Sequence, residues 1–224
     1  MFLHKIFNSF RKNVRITSKN VMQIKENILV LCIADTHGTL HPDQIEMLRN
    51  IDYDVCFLLG DVSHKDLQLL ENENILIKEK TYGLLGNHDD YGLLDKFGID
   101  NLHGKKIQIK GASFIGFEGS NRYKEGKYPM YTQDEASSIL KEYPDADIFV
   151  SHDGSFGAMG KTDPAHCGFK AITQYIKDND VLWHIHGHCH DPKIYEVNNS
   201  KTKCVCVYKC ALIDLKDEKV EFLF

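Results

Sequence analysis

The chain has 224 residues, 42% of them hydrophobic and 26% charged, with a formal net charge of −5. That suffices for one sizeable core, and no apolar run approaches the roughly 20 residues needed to cross a bilayer. Seven cysteines (32, 56, 167, 189, 204, 206 and 210) are an odd number with no CxxC pair. They predict reduced, mostly buried thiols in a cytoplasmic protein, and exclude a disulfide framework or a structural zinc site.

Residues 1–25 hold six basic residues (Lys5, Arg11, Lys12, Arg15, Lys19, Lys25) and no acid. The remainder therefore carries roughly −11. An acidic body argues against a dedicated nucleic-acid surface, which shows a basic footprint. Phe2, Leu3, Ile6, Phe7 and Phe10 share one helical face, with Lys5, Arg11 and Lys12 off it. Such a stripe docks on its own domain or on a second subunit, giving a homo-oligomer; a membrane-surface helix is the rival reading. Residues 13–26 read as a linker or a short pairing segment. The organisation is thus a basic amphipathic segment over residues 1–26 and one domain over residues 27–224.

Ile28 to Ala34 (ILVLCIA) is a continuous apolar run, the pattern of a strand buried on both faces. It stops at Asp35-Thr36-His37-Gly38. Pro42 and Asp43 open a helix with Ile45 and Leu48 inward. A second strand, Val55 to Leu59, ends at Gly60-Asp61. A short helix carrying Leu67 and Leu70 leads to a third, Thr81 to Leu85, ending at Gly86-Asn87-His88-Asp89. Polar residues thus gather at the carboxyl ends of strands, where open α/β sheets build their sites.

Two strands meeting near Gly111 fill residues 105–116. Gly119 to Tyr131 is polar and aromatic, the composition of a loop, in which Arg122, Tyr123 and Lys124 are candidates to touch a phosphate or a base. Thr132-Gln133-Asp134-Glu135 is a capping box, opening a helix with Ala136, Ile139, Leu140 and Tyr143 on one face. A strand at Ile148 to Val150 closes on Ser151-His152. A loop with His166 precedes a helix with Phe169, Ile172 and Ile176 inward. The next strand ends in Trp183 to His190, WHIHGHCH. Within it, His184 and His186 read as core histidines. His188 and His190 follow the strand-ending Gly187, where a sharp turn would let their imidazoles reach two neighbouring points. Segments 193–197, 203–208, 210–215 and 219–223 predict one antiparallel meander.

The strand ends together deliver Asp35, His37, Asp61, Asn87, His88, His152, His188 and His190. Mixed nitrogen and oxygen donors without thiolate suit Mn, Fe, Zn or Ni. The series Asp35-x-His37, Gly60-Asp61, Gly86-Asn87-His88-Asp89, Ser151-His152 and Gly187-His188-x-His190 resembles the calcineurin-like metallophosphoesterase family over roughly residues 28–192. The resemblance implies a four-layer α/β/β/α sandwich of two mixed sheets, with the meander completing the second sheet, and two divalent ions per chain, manganese first. Asp35, His37 and His190 would bind one ion, Asn87, His152 and His188 the other, and Asp61 would bridge them. His88 matches the family's catalytic histidine, a proton donor outside the ligand set. The implied activity is hydrolysis of small phosphomonoesters or phosphodiesters, nucleotides included, by in-line attack of a metal-bridging hydroxide.

Two departures matter. His64 stands where many members have an aspartate that hydrogen-bonds the catalytic histidine. Leu85 and Lys65 stand near the places of two arginines found in protein Ser/Thr phosphatases, which argues against that activity. Two rivals remain: a non-catalytic scaffold of the same fold, and a nuclease. His88 argues against the scaffold, and the acidic body against long nucleic acids.

Overall fold

A computed structural model describes residues 24–224. The predicted amphipathic helix over residues 2–10, with its docking or membrane role, lies outside the described residues. Fourteen strands follow in chain order: β1 (Leu29–Ala34), β2 (Val55–Leu58), β3 (Thr81–Gly83), β4 (Asp100–Asn101), β5 (Lys106–Ile109), β6 (Ala112–Phe117), β7 (Ser120–Asn121), β8 (Met130–Tyr131), β9 (Ile148–Ser151), β10 (Trp183–His186), β11 (Lys193–Glu196), β12 (Lys203–Cys206), β13 (Lys209–Asp214) and β14 (Lys219–Phe222). The helices are α1 (Pro42–Leu48), α2 (His64–Asn72), α3 (Leu93–Lys96), α4 (Gln133–Leu140) and α5 (Lys170–Asp178).

Two six-stranded sheets result, ordered β14-β13-β1-β2-β3-β4 and β11-β12-β10-β9-β6-β5. In the first, β1 to β4 run parallel, with β13 antiparallel beside β1. In the second, β6, β9, β10 and β12 run parallel between antiparallel β5 and β11. Each sheet is mixed, as expected.

Side-chain alternation along the strands sets the layers. Val30, Cys32 and Ala34 of β1 join Phe57, Phe114, Val150 and Ile185 in a core between the sheets. Leu31 and Ile33 point the other way, against Ile45, Leu48, Leu67 and Leu70 of α1 and α2. On the far face of the second sheet, Ile115 and Phe149 meet Ala136, Leu140, Ile172 and Ile176 of α4 and α5. Three cores between four layers give the α/β/β/α sandwich. Six of the seven cysteines are buried and all are unpaired.

The C-terminal segments depart from the single meander. They form two hairpins on different sheets: β12 lies parallel to β10 with β11 outside it, while β13 pairs with β1 and carries β14. The reason is burial. β12 and β13 are apolar on both faces and fit inside a sheet, whereas β11 and β14 alternate and suit its edge. Both β1 and β10 need such a neighbour.

The Thr132 capping box forms: its hydroxyl accepts from Glu135 N at 3.2 Å, and Glu135 Oε2 accepts from Thr132 N at 2.7 Å. Thr132→Ala leaves a helix-end donor without its partner and is expected to lower stability by about 1 kcal/mol in urea unfolding. Metal content should not change.

Candidate metal centre

Every predicted site residue except His64, Arg122, Tyr123, Lys124 and His166 lies just beyond the carboxyl end of a parallel strand: β1 for Asp35 and His37, β2 for Asp61, β3 for Asn87 and His88, β9 for His152, β10 for His188 and His190. Turns this abrupt need unusual backbone. Asp35, His37, Asp61, His188 and His190 all take positive φ, from +47° to +69°. Asp and His are among the residue types that enter the left-handed region most readily. A side chain at Gly86 or Gly187 would put its Cβ 2.1 Å from Asp61 Oδ1 or 2.6 Å from Asp35 Oδ2. Glycine is what lets the neighbouring turns close on these carboxylates.

Two donor sets converge. In Asp35, His37 and His190, and again in Asp61, His152 and His188, the ligand atoms lie within 4.8 Å of one another. Asp35 Oδ2 accepts from His188 N at 2.7 Å, while its buried Oδ1 has no hydrogen-bond partner. His190 Nε2 lies 3.4 Å from that free oxygen and 3.2 Å from His37 Nε2. Burial pushes the Asp35 carboxyl up, but His190 above all, with His152 and His188, outweighs it and holds it below its ordinary value.

Hydrogen bonds assign the second set's nitrogens. His152 Nδ1 lies 2.8 Å from the Leu59 carbonyl and His188 Nε2 2.6 Å from that of Ala165. A carbonyl only accepts, so these nitrogens carry the protons, leaving His152 Nε2 and His188 Nδ1 as the lone-pair atoms. Asn87 Oδ1 then faces His152 Nε2 at 2.9 Å, acceptor against acceptor. Two opposed lone pairs, and a buried carboxylate oxygen with no donor, are the arrangement a cation resolves. The histidine, asparagine and carboxylate donors fit divalent ions.

The core histidines behave as expected. His184 Nε2 meets Ser151 Oγ at 2.8 Å, and His186 bonds the Gly187 carbonyl and the Tyr195 hydroxyl. Burial holds His184 well below its ordinary pKa and His186 at about 4, so both stay neutral.

His88 is exposed, with its ring 5.5 Å from that of His37 and its backbone N–H donating to Asp61 Oδ1 at 2.8 Å. Partial burial lowers its pKa against the opposing pull of Asp61. His64 does not take the aspartate's place: it packs edge-on against Phe97, 5.0 Å between centroids. His166 bonds Asp163 at 2.8 Å and stacks on the His188 ring at 5.0 Å, outside both donor sets. Arg122 also turns away, pairing with Glu135 at 3.0 Å and donating to the Met130 carbonyl.

Two carboxylates that the sequence reading leaves without a role brace the site. Asp66 accepts from Gly38 N and Leu40 N, fixing the loop after β1. Asp89 Oδ2 accepts from Asp61 N at 2.8 Å and Gly86 N at 2.7 Å. Tyr123, a candidate for substrate contact, instead accepts from Asn87 Nδ2 through its hydroxyl at 3.0 Å.

The sequence profile of the calcineurin-like phosphoesterases matches residues 28–192. Among solved structures, TT1561 of Thermus thermophilus is similar at 16% identity and a TM-score of 0.62, over 88% of this chain and 98% of that one. The phosphopantetheinyl hydrolase PptH from Mycobacterium tuberculosis is similar at 12% identity and a TM-score of 0.54, over 80% and 89%. A putative 5'-nucleotidase from Staphylococcus aureus gives 15% identity and a TM-score of 0.53, over 88% of this chain and 52% of that one. At these identities the likeness is one of fold. No match was found among curated proteins.

Burial, reinforced by Asp61, pushes the Asp89 carboxyl up to about 8. A raised pKa means that the folded chain holds a proton the unfolded chain has lost. The contribution of Asp89 to stability is then full below about pH 4 and falls as pH rises toward 8. Asp89→Asn keeps an acceptor oxygen without the charge, and should flatten this fall in melting curves of chelated protein. Added metal supplies positive charge and should flatten the wild-type curve too.

Proposed function

Because the chain belongs to the calcineurin-like phosphoesterase family, we propose that it is a dinuclear metal-dependent phosphoesterase acting on small phosphomonoesters or phosphodiesters, nucleotides included. The observation that carries this reading is the pair of converging donor sets, with opposed acceptors at Asn87 and His152 and an unpartnered oxygen on Asp35. Asp35, His37 and His190 would hold one ion and Asn87, His152 and His188 the other, with Asp61 shared between them. Manganese is our first choice. Bound ions would supply Lewis acidity, activating water for in-line attack and neutralising charge on the phosphoryl oxygens.

The chain's own residues do the rest. The bonds from His152 to Leu59 and from His188 to Ala165 orient both rings before any ion arrives, which lowers the cost of binding. His88 makes no ring hydrogen bond among the described residues and stands beside His37, placed to protonate a departing alkoxide. We place the protein in the cytoplasm, with a small phosphorylated substrate rather than a long nucleic acid. Among the described residues no helix is long and apolar enough to cross a membrane.

Elemental analysis of manganese-reconstituted protein should find close to two ions per chain, and chelation should abolish hydrolysis of paired aryl mono- and diesters. Asp61→Asn should cost more metal than any other single ligand change. His88→Ala should keep its metal and lose roughly 10²–10⁴ in kcat for poor leaving groups, and less for activated ones. Two bound ions without turnover of either ester would make the fold a scaffold.

A further inference from the structure

The loop between β6 and α4 is tied to the turn after β3 at two points that straddle His88. Tyr123 is bonded to Asn87, and the Tyr91 hydroxyl donates to the Tyr128 carbonyl at 3.1 Å. The two tethered tyrosines of the loop hold one side chain between them. Lys124 Nζ lies 4.2 Å from the Tyr128 ring centroid and 5.3 Å from that of Tyr123. Cation–π contacts of this kind order an ammonium without neutralising it. No carboxylate forms an ion pair with Lys124 among the described residues, whereas Arg122 beside it is paired with Glu135. Through the Tyr123 ring and its bond to Asn87, the ammonium is held near the turn that carries Asn87 and His88.

We propose that Lys124 is a substrate-binding residue that recognises the phosphate group and selects the dianion of a phosphomonoester over the monoanion of a phosphodiester. This deepens the phosphoesterase reading and rests on it for the position of the phosphate. A monoester has one more unesterified oxygen than a diester and, with a second pKa near 6, one more negative charge at pH 8. A further cationic contact beside the metal donors serves that extra charge, while a diester offers an alkoxy group there. Lysine suits the role as a point charge on a flexible stem, here steadied by two aromatic faces.

The test is calorimetric and needs no turnover. Manganese-loaded full-length protein is titrated at pH 8 with inorganic phosphate and with dimethyl phosphate. Lys124→Met keeps an apolar stem against the rings and should weaken phosphate about tenfold, the scale of one exposed charge contact, with dimethyl phosphate changed by less than about twofold. Lys124→Arg should restore the difference. Equal weakening of both anions, or of neither, overturns the proposal, as does wild-type protein that prefers neither. Failure of the wild type to hydrolyse esters, with the binding difference intact, counts against the enzymatic reading and leaves the recognition by Lys124 standing.

Discussion

Three carboxylates sit within one small buried region: Asp35, Asp61 and Asp89 are 1%, 3% and 5% exposed. Among the described residues no lysine or arginine forms an ion pair with any of them. Burying like charges together without cations is costly, and a protein that does so keeps a counter-charge for the purpose or leaves a carboxyl protonated. Here burial and Asp61 push the Asp89 carboxyl up to about 8, while Asp35 and Asp61 are turned toward histidine nitrogens. The rest of the site follows from that choice. Glycines at 86 and 187 clear space for carboxylate oxygens, and left-handed turns aim the ligands.

The same region stitches the sheets together. His188 N–H crosses to Asp35, His152 Nδ1 crosses to the Leu59 carbonyl, and Gly119 N–H crosses to the Leu85 carbonyl at 2.7 Å. Ligand geometry and sheet packing are one structure. An ion held between the donor sets would bind both sheets, and chelation would loosen more than a local loop.

Much of this is legible in the sequence because it rests on local pattern. The ILVLCIA run, the Thr132 capping box and the strand-end motifs each identify themselves within a few residues, and each forms. What is not legible depends on where distant segments come to lie. The β12 and β13 runs look alike because a doubly buried strand reads the same in either sheet. Asp66 and Asp89 act by accepting backbone N–H groups whose direction only the folded turns decide. His64 and Arg122 are natural candidates from sequence, yet Phe97 and Glu135 claim them. Tyr123 touches Asn87 because a loop 36 residues away folds back over the turn.

The pairing of β1 with β13, Leu29 opposite Asp214, has a bearing on how the molecule is made. β1 meets β2 from about 25 residues further along the chain, whereas its other neighbour comes from about 180 residues further on. Pairings so distant in sequence form slowly. Each donor set also draws on widely separated parts of the chain, Asp35 with His190 and Asp61 with His188. A fragment lacking His188 and His190 therefore holds no complete set. Each set is complete only once the turn after β10 has folded against the turns after β1 and β2.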